Sequence, residues 1–149
     1  MSNPPKERGT RAETAVVRHL VALGIPAERR ALKGAADDGD VWAYGGRVVI
    51  EVKRRRTRPH DEELSRMWGE ANREASRVPH ADVAMLVVKR PGRANPALWW
   101  AFFTHADLCW LSGLDPDELP MGVGNALVQV TLRHACELMA AHPDLEMFR

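Results

Sequence analysis

An α/β domain with a mixed β-sheet flanked by helices is predicted by three features of this sequence. They are its length, a tight-turn signal at Gly45-Gly46, and segments that run helix, strand, hairpin, helix, strand, strand. The 149 residues suffice for one domain with a real core and not for two independent ones. A composition of 45% hydrophobic and 28% charged residues excludes a disordered or fibrous chain.

The elements follow in order. Residues 1–9, with Asn3-Pro4-Pro5 and alternating charge, are expected to form a flexible basic arm. From Thr10 to Leu23, Ala12, Ala15, Val16, His19, Leu20 and Leu23 recur at helical spacing, and Gly24 and Pro26 end the run. Ala27 to Leu32 is a short strand, followed by a loop from Lys33 to Gly39. Asp40 to Tyr44 and Arg47 to Lys53 are strand-like runs separated by Gly45-Gly46, a dipeptide favoured in two-residue hairpin turns. A basic stretch leads past Pro59 into a second helix, with Asp61 as N-cap and an apolar stripe of Leu64, Met67, Trp68, Ala71, Ala75 and Val78. Val83 to Val88 and Leu98 to Phe103 are strands, Thr104 caps a short helix to Leu111, and Leu114 to Gly124 is rich in Pro, Gly and Asp. A strand from Leu127 to Val130 and a helix from Thr131 to Ala141 complete the chain. This divides it into an arm (1–9), a core (10–112) and a C-terminal extension (113–149). In the extension, Leu132, Ala135, Leu138 and Met139 suggest helices that interlock in a dimer.

Several function classes are disfavoured. Two cysteines, Cys109 and Cys136, make no disulfide framework and no CxxC motif, so a reducing cytoplasmic setting is expected, with a bacterium and a virus as alternative sources. The chain has no run of about 18 apolar residues, so no membrane role is expected. The six histidines form no HxxxH or HxH pair, which argues against zinc, and without GxxxxGK[ST] no nucleotide cofactor is expected. The net charge of +1 conceals an asymmetry: 13 Lys/Arg against 7 Asp/Glu in residues 1–60, and 8 against 13 in residues 61–149. A positive field on one part of the molecule can attract a polyanion.

The hairpin carries the chemistry. With Gly45-Gly46 as its turn, Trp42 faces Val49 and Asp40 faces Glu51, while alternation puts Glu51 and Lys53 on one side and Val48, Ile50 and Val52 on the other, core side. Opposed carboxylates about 5 Å apart destabilise a hairpin by up to roughly 1 kcal/mol, and a divalent cation offsets this naturally, since Mg²⁺ and Mn²⁺ prefer carboxylate oxygens. Lys53 is placed to position or deprotonate an attacking water, or to neutralise phosphorane-like charge. Metal, water activation and charge stabilisation are the requirements of phosphodiester hydrolysis. The basic sequel Arg54-Arg55-Arg56-Thr57-Arg58 then serves as a DNA-backbone contact. Trp99-Trp100 and Trp110 offer rings for base stacking, although an apolar run more often places such residues in a core or interface.

Gly39-Asp40, followed after ten residues by Glu51-Val52-Lys53, resembles the PD-(D/E)xK motif of the restriction-endonuclease-like nucleases. Together with Arg8-Gly9-Thr10-Arg11-Ala12-Glu13 and Val48-Val49-Ile50, it is similar in particular to the archaeal-type Holliday junction resolvases. The resemblance spans roughly Arg8 to Phe103 and implies a restriction-endonuclease-like fold. It also implies a Mg²⁺-dependent endonuclease (Mn²⁺ as an alternative) acting as a homodimer on four-way DNA junctions in recombination and repair. Asp40, Glu51, the Val52 carbonyl and Glu13 would hold the metal, Lys53 would be the catalytic lysine, and Thr10 would stand near the scissile phosphate. Arg8, Arg11, Arg29 and Arg30 would contact DNA. Gly39 stands where the family has proline, and Thr10-x-x-Glu13 also reads as a capping box, which leaves Glu13 either role or both. Two alternatives remain at this level: a related nuclease for other branched, nicked or damaged DNA, and a non-catalytic DNA-binding module.

Overall fold

The computed structural model describes residues 4–30 and 39–148. Helix α1 (Pro4–Ala22) buries a stripe of Ala12, Val16 and Leu20. It closes where Gly24, at φ +79°, lets the Ile25 N–H donate to the Leu20 carbonyl and the Gly24 N–H to the Val21 carbonyl, each at 3.0 Å. The helix begins at Pro4 rather than Thr10, so residues 4–9, expected as an arm, are its first turns. Thr10 therefore lies inside the helix, where its carbonyl accepts the Thr14 hydroxyl at 2.8 Å, and the expected capping box does not form.

Strands β1 (Ala27–Arg29), β2 (Val41–Ala43), β3 (Val48–Arg54), β4 (Val83–Lys89), β5 (Trp100–Thr104) and β6 (Leu127–Thr131) lie in chain order in one sheet among the described residues. Only β3 and β4 are parallel, joined by the crossover helix α2 (Asp61–Ser76), and the other neighbours are antiparallel. The hairpin has the expected register, with Trp42 opposite Val49 and Val41 opposite Ile50. Gly45 and Gly46 sit at φ +68° and +95°, as a primed two-residue turn demands. The N-cap of α2 is His60, whose Nδ1 accepts from the Glu63 N–H at 3.3 Å, and Asp61 is the first helical residue. Most of the expected 33–39 loop lies outside the described residues.

Helices cover both faces. α1 and α4 (Leu132–Ala141) pack on the side of Val48, Ile50, Met85, Val87 and Phe103, while α2 packs on the side of Val49, Leu86, Val88 and Phe102. The side of β3 that carries Glu51 and Lys53 is thus not an open surface: Val49 is buried with Ala75 and Val78 of the α2 region, and Glu51 is only 5% exposed. α3 (His105–Leu111) starts on Thr104, whose hydroxyl accepts the Asp107 N–H at 3.1 Å, and α5 (Pro143–Glu146) follows α4. The C-terminal segment is integral to the domain, since Leu132, Ala135, Met139 and Leu145 are buried in the core that α1 shares, with Leu138 packed against it. The stripe expected to interlock with a partner is therefore occupied by the protomer's own core. The described residues form a single α/β domain with a mixed sheet flanked by helices. No helix among the described residues is long and apolar enough to cross a membrane.

Candidate active site

Because β3 and β4 are parallel, their C-terminal ends emerge side by side, with Arg54 paired to Lys89. Each strand continues into a basic exit, Arg54-Arg55-Arg56 on one and Lys89-Arg90 on the other, with Arg93 across the turn. Between them opens a cleft of about 750 Å³ that Val52, Lys53 and, from α1, Arg8 also line. Eight Lys and Arg residues line this cleft, and no carboxylate does among the described residues. The turn is anchored by the Trp99 indole, which donates to the Arg93 carbonyl at 2.8 Å.

Asp40 and Glu51 lie behind the lining of this cleft, Asp40 bonded to the Val52 N–H and Glu51 to Lys53. The half-buried Asp40 carboxylate accepts the Val52 N–H through Oδ2 at 2.8 Å. Burial, with the Glu51 charge adding to it, pushes the Asp40 carboxyl up to about 8 against the pull of that hydrogen bond. Glu51 is also pushed up to about 8, by burial first and then by a hydrogen bond with Glu74, with Lys53 opposing. Lys53 Nζ lies 3.0 Å from Glu51 Oε1 and 2.9 Å from Glu70 Oε2. Burial lowers the Lys53 pKa, but the two carboxylates outweigh it and hold the ammonium above its ordinary value. Gly39, ahead of Asp40, has φ +92°, and a Cβ there would stand 2.6 Å from Val49 Cγ1. Proline, fixed near φ −65°, cannot occupy that backbone.

The other expected residues divide. Glu13 is ion-paired with Arg29 at 2.6 Å, and Arg29 Nη2 reaches Thr10 Oγ1 at 3.4 Å, so these three form their own cluster. Glu13 still acts on Asp40 through space, raising its proton affinity. Arg30 lies 3.9 Å over the Trp42 ring and pairs with Glu28, Arg55 pairs with Glu63, and Arg58 donates to Gln129 Oε1 at 2.9 Å. Arg8, Arg54 and Arg56 are exposed on the cleft, and Arg11 is exposed outside its lining.

Among solved structures, the chain is similar to a Holliday junction resolvase from the archaeal hyperthermophile Archaeoglobus fulgidus. The match covers 87% of this chain and 96% of that one, at 19% identity and a TM-score of 0.46. No family model matches the chain, and no curated protein is significantly similar to it.

Sequence reasoning missed Glu70 and Glu74 on α2 and Lys89, Arg90 and Arg93 at the β4 turn. Glu74, 7% exposed, falls three residues after Ala71 within the apolar stripe, and a carboxylate interrupting a buried stripe was the available signal. The turn cations were visible only as a short basic run, since their placement beside Lys53 depends on the parallel pairing. A divalent cation fits what is present: Glu51 Oε2 is buried with no hydrogen-bond partner, and two crowded carboxylates with raised proton affinity are relieved by a positive ion. No group of three or more His, Cys, Asp or Glu that could hold a metal ion assembles among the described residues.

Proposed function

We propose that this chain is a Mg²⁺-dependent endonuclease for branched DNA, with the four-way junction as its leading substrate and a homodimer as the unit that nicks two opposed strands. One observation supports it most: a cleft lined by eight cations and no described carboxylate includes Lys53 and Val52, and these two residues hold Glu51 and Asp40 directly behind it. The cleft matches a phosphodiester backbone, and the groups that hydrolysis needs adjoin it through Val52 and Lys53. Asp40, Glu51 and the Val52 carbonyl would hold the cation, which supplies Lewis acidity and lowers the pKa of a bound water. The Lys53 ammonium, held between Glu51 and Glu70, stabilises charge that develops on the phosphoryl oxygens. A lysine kept protonated in this way is a poor base, so of the roles open to Lys53 the geometry favours electrostatic stabilisation. Thr10, Glu13 and Arg29 form a neighbouring wall from α1 and β1.

The test is strand cleavage of a labelled four-way junction and a matched linear duplex, with Mg²⁺ or EDTA, by the wild type and Asp40→Asn. The expected result is metal-dependent cutting of the junction, reduced by at least about a hundredfold in Asp40→Asn, with binding retained. Cutting of both DNAs would keep the chemistry and discard the junction preference. Binding without cutting would leave a DNA-binding module.

A further inference from the structure

Trp99 and Trp100 are adjacent at the start of β5, and strand alternation sends them to opposite faces. Trp99 goes inward, 1% exposed, whereas Trp100 stays half-buried on the α2 face, packed against the cluster of Met67, Val88 and Phe102. The sheet register places it: Trp100 pairs with Val88, and Val88 pairs with Lys53. Lys53, Val88 and Trp100 therefore form one row across three strands on one face, which puts Trp100 about 10 Å from the candidate catalytic lysine. That is roughly the span of the next one or two nucleotides along a strand. Two guanidinium groups flank the ring, Arg58 at 5.9 Å and Arg90 at 5.7 Å from its centroid. Both lie within cation–π range of the ring but farther out than Arg30 over Trp42 at 3.9 Å. Arg58 is held by Gln129, and Arg90 also lines the cleft.

We infer that Trp100, flanked by Arg58 and Arg90, is a stacking platform for an unpaired base next to the cleavage site, so that the chain's substrate class is DNA with single-stranded character at the cut. A partly exposed indole between two cations beside a phosphate-sized cleft combines the two parts of single-strand recognition, a charged track and a π-surface. An intact duplex cannot use such a platform without unstacking a base, whereas a flap, a gap or an opened junction centre presents bases freely. The inference rests on reading the cleft as a DNA site, but not on cutting.

The experiment measures binding of fluorescein-labelled oligothymidylate, and of a blunt duplex of equal length, to the full chain in EDTA. The proteins are the wild type, Trp100→Leu, which keeps apolar volume, and Trp100→Phe, which keeps a ring. Trp100→Leu is expected to weaken oligothymidylate binding about tenfold and duplex binding less than about twofold, with Trp100→Phe close to wild type. Equal weakening on both DNAs, no weakening on oligothymidylate, or a Trp100→Phe defect equal to that of Trp100→Leu would overturn the platform. A measurement on the wild type alone covers a variant that does not fold: bromodeoxyuridine oligonucleotide photocrosslinks should map to the peptide holding Trp100, and mapping elsewhere overturns the inference. Failure of the wild type to bind either DNA would overturn the underlying DNA reading as well.

Discussion

Asp40 and Glu51 hold protons more tightly in the folded protein than any exposed carboxylate does, and this links metal binding to pH. Both are pushed up to about 8, chiefly by burial. Between the ordinary carboxylate range and about pH 8, the folded state therefore carries protons that the unfolded chain has released. With more protons bound in the native state, unfolding free energy falls as pH rises through that window. In EDTA the melting temperature should drop between about pH 5 and about pH 8, and Asp40→Asn with Glu51→Gln should flatten the drop. A cation takes the place of those protons, so Mg²⁺ should raise the melting temperature more at about pH 8 than at about pH 5. A metal-induced shift that is the same at both pH values would count against these two carboxylates as the ligands. Of this site, Asp40, Glu51 and Lys53 were legible because a two-glycine turn fixes the register arithmetic. The raised proton affinities were not, since they depend on α2 covering the face that alternation alone leaves open to solvent.

At the scale of elements, α2 acts as a tie as well as a cover. Its Glu70 carboxylate receives Lys53 at 2.9 Å from one side while Glu51 receives it at 3.0 Å from the other, so the ammonium is fixed between helix and strand. Lys53 in turn holds the Glu70 carboxyl below its usual range, and Arg66 adds a weaker contact at 3.4 Å. Glu70→Ala should therefore release Lys53 without removing it. The expected outcome is a roughly tenfold loss in kcat with little change in KM, and partial rescue by Glu70→Gln, which can still accept a hydrogen bond from Lys53. A KM effect with kcat unchanged would assign Glu70 to substrate binding instead. The strands and helices themselves were largely legible: periodicity gave α2 and α4, the apolar run gave β4, and Thr104 and Thr131 mark helix starts as side-chain caps. What escaped was the start of α1, because Pro4 and Pro5 read as an arm although proline is at home in a first helical turn. The long-range partners of Glu13 and Arg29 also escaped, since a capping box is a local pattern and their ion pair joins α1 to β1.

For the whole molecule, the charge asymmetry read along the chain is not the asymmetry in space. The N-terminal part carries the excess of Lys and Arg, yet Lys89, Arg90 and Arg93 from the acid-rich remainder join Arg54 and Arg56 in one cleft. The parallel β3–β4 pair does this by delivering two basic strand exits to the same end of the sheet. Each cation that touches a phosphate releases counterions, so duplex affinity should fall with salt at a log–log slope of roughly −0.9 per contact. Arg90→Gln with Arg93→Gln should flatten that slope by about two if both meet phosphates, and should weaken binding evenly across sequences. The turn itself should survive, because Trp99 anchors the Arg93 backbone carbonyl rather than its side chain. Arg133→Gln is the control: it removes one exposed charge from α4, paired with Glu137 and outside the cleft lining, and should leave the slope unchanged. If the control and the turn variant change the slope alike, attraction is a property of overall charge and the cleft has no special part in it. If only the turn variant does, the DNA track runs between the β3 and β4 exits, directly over Lys53.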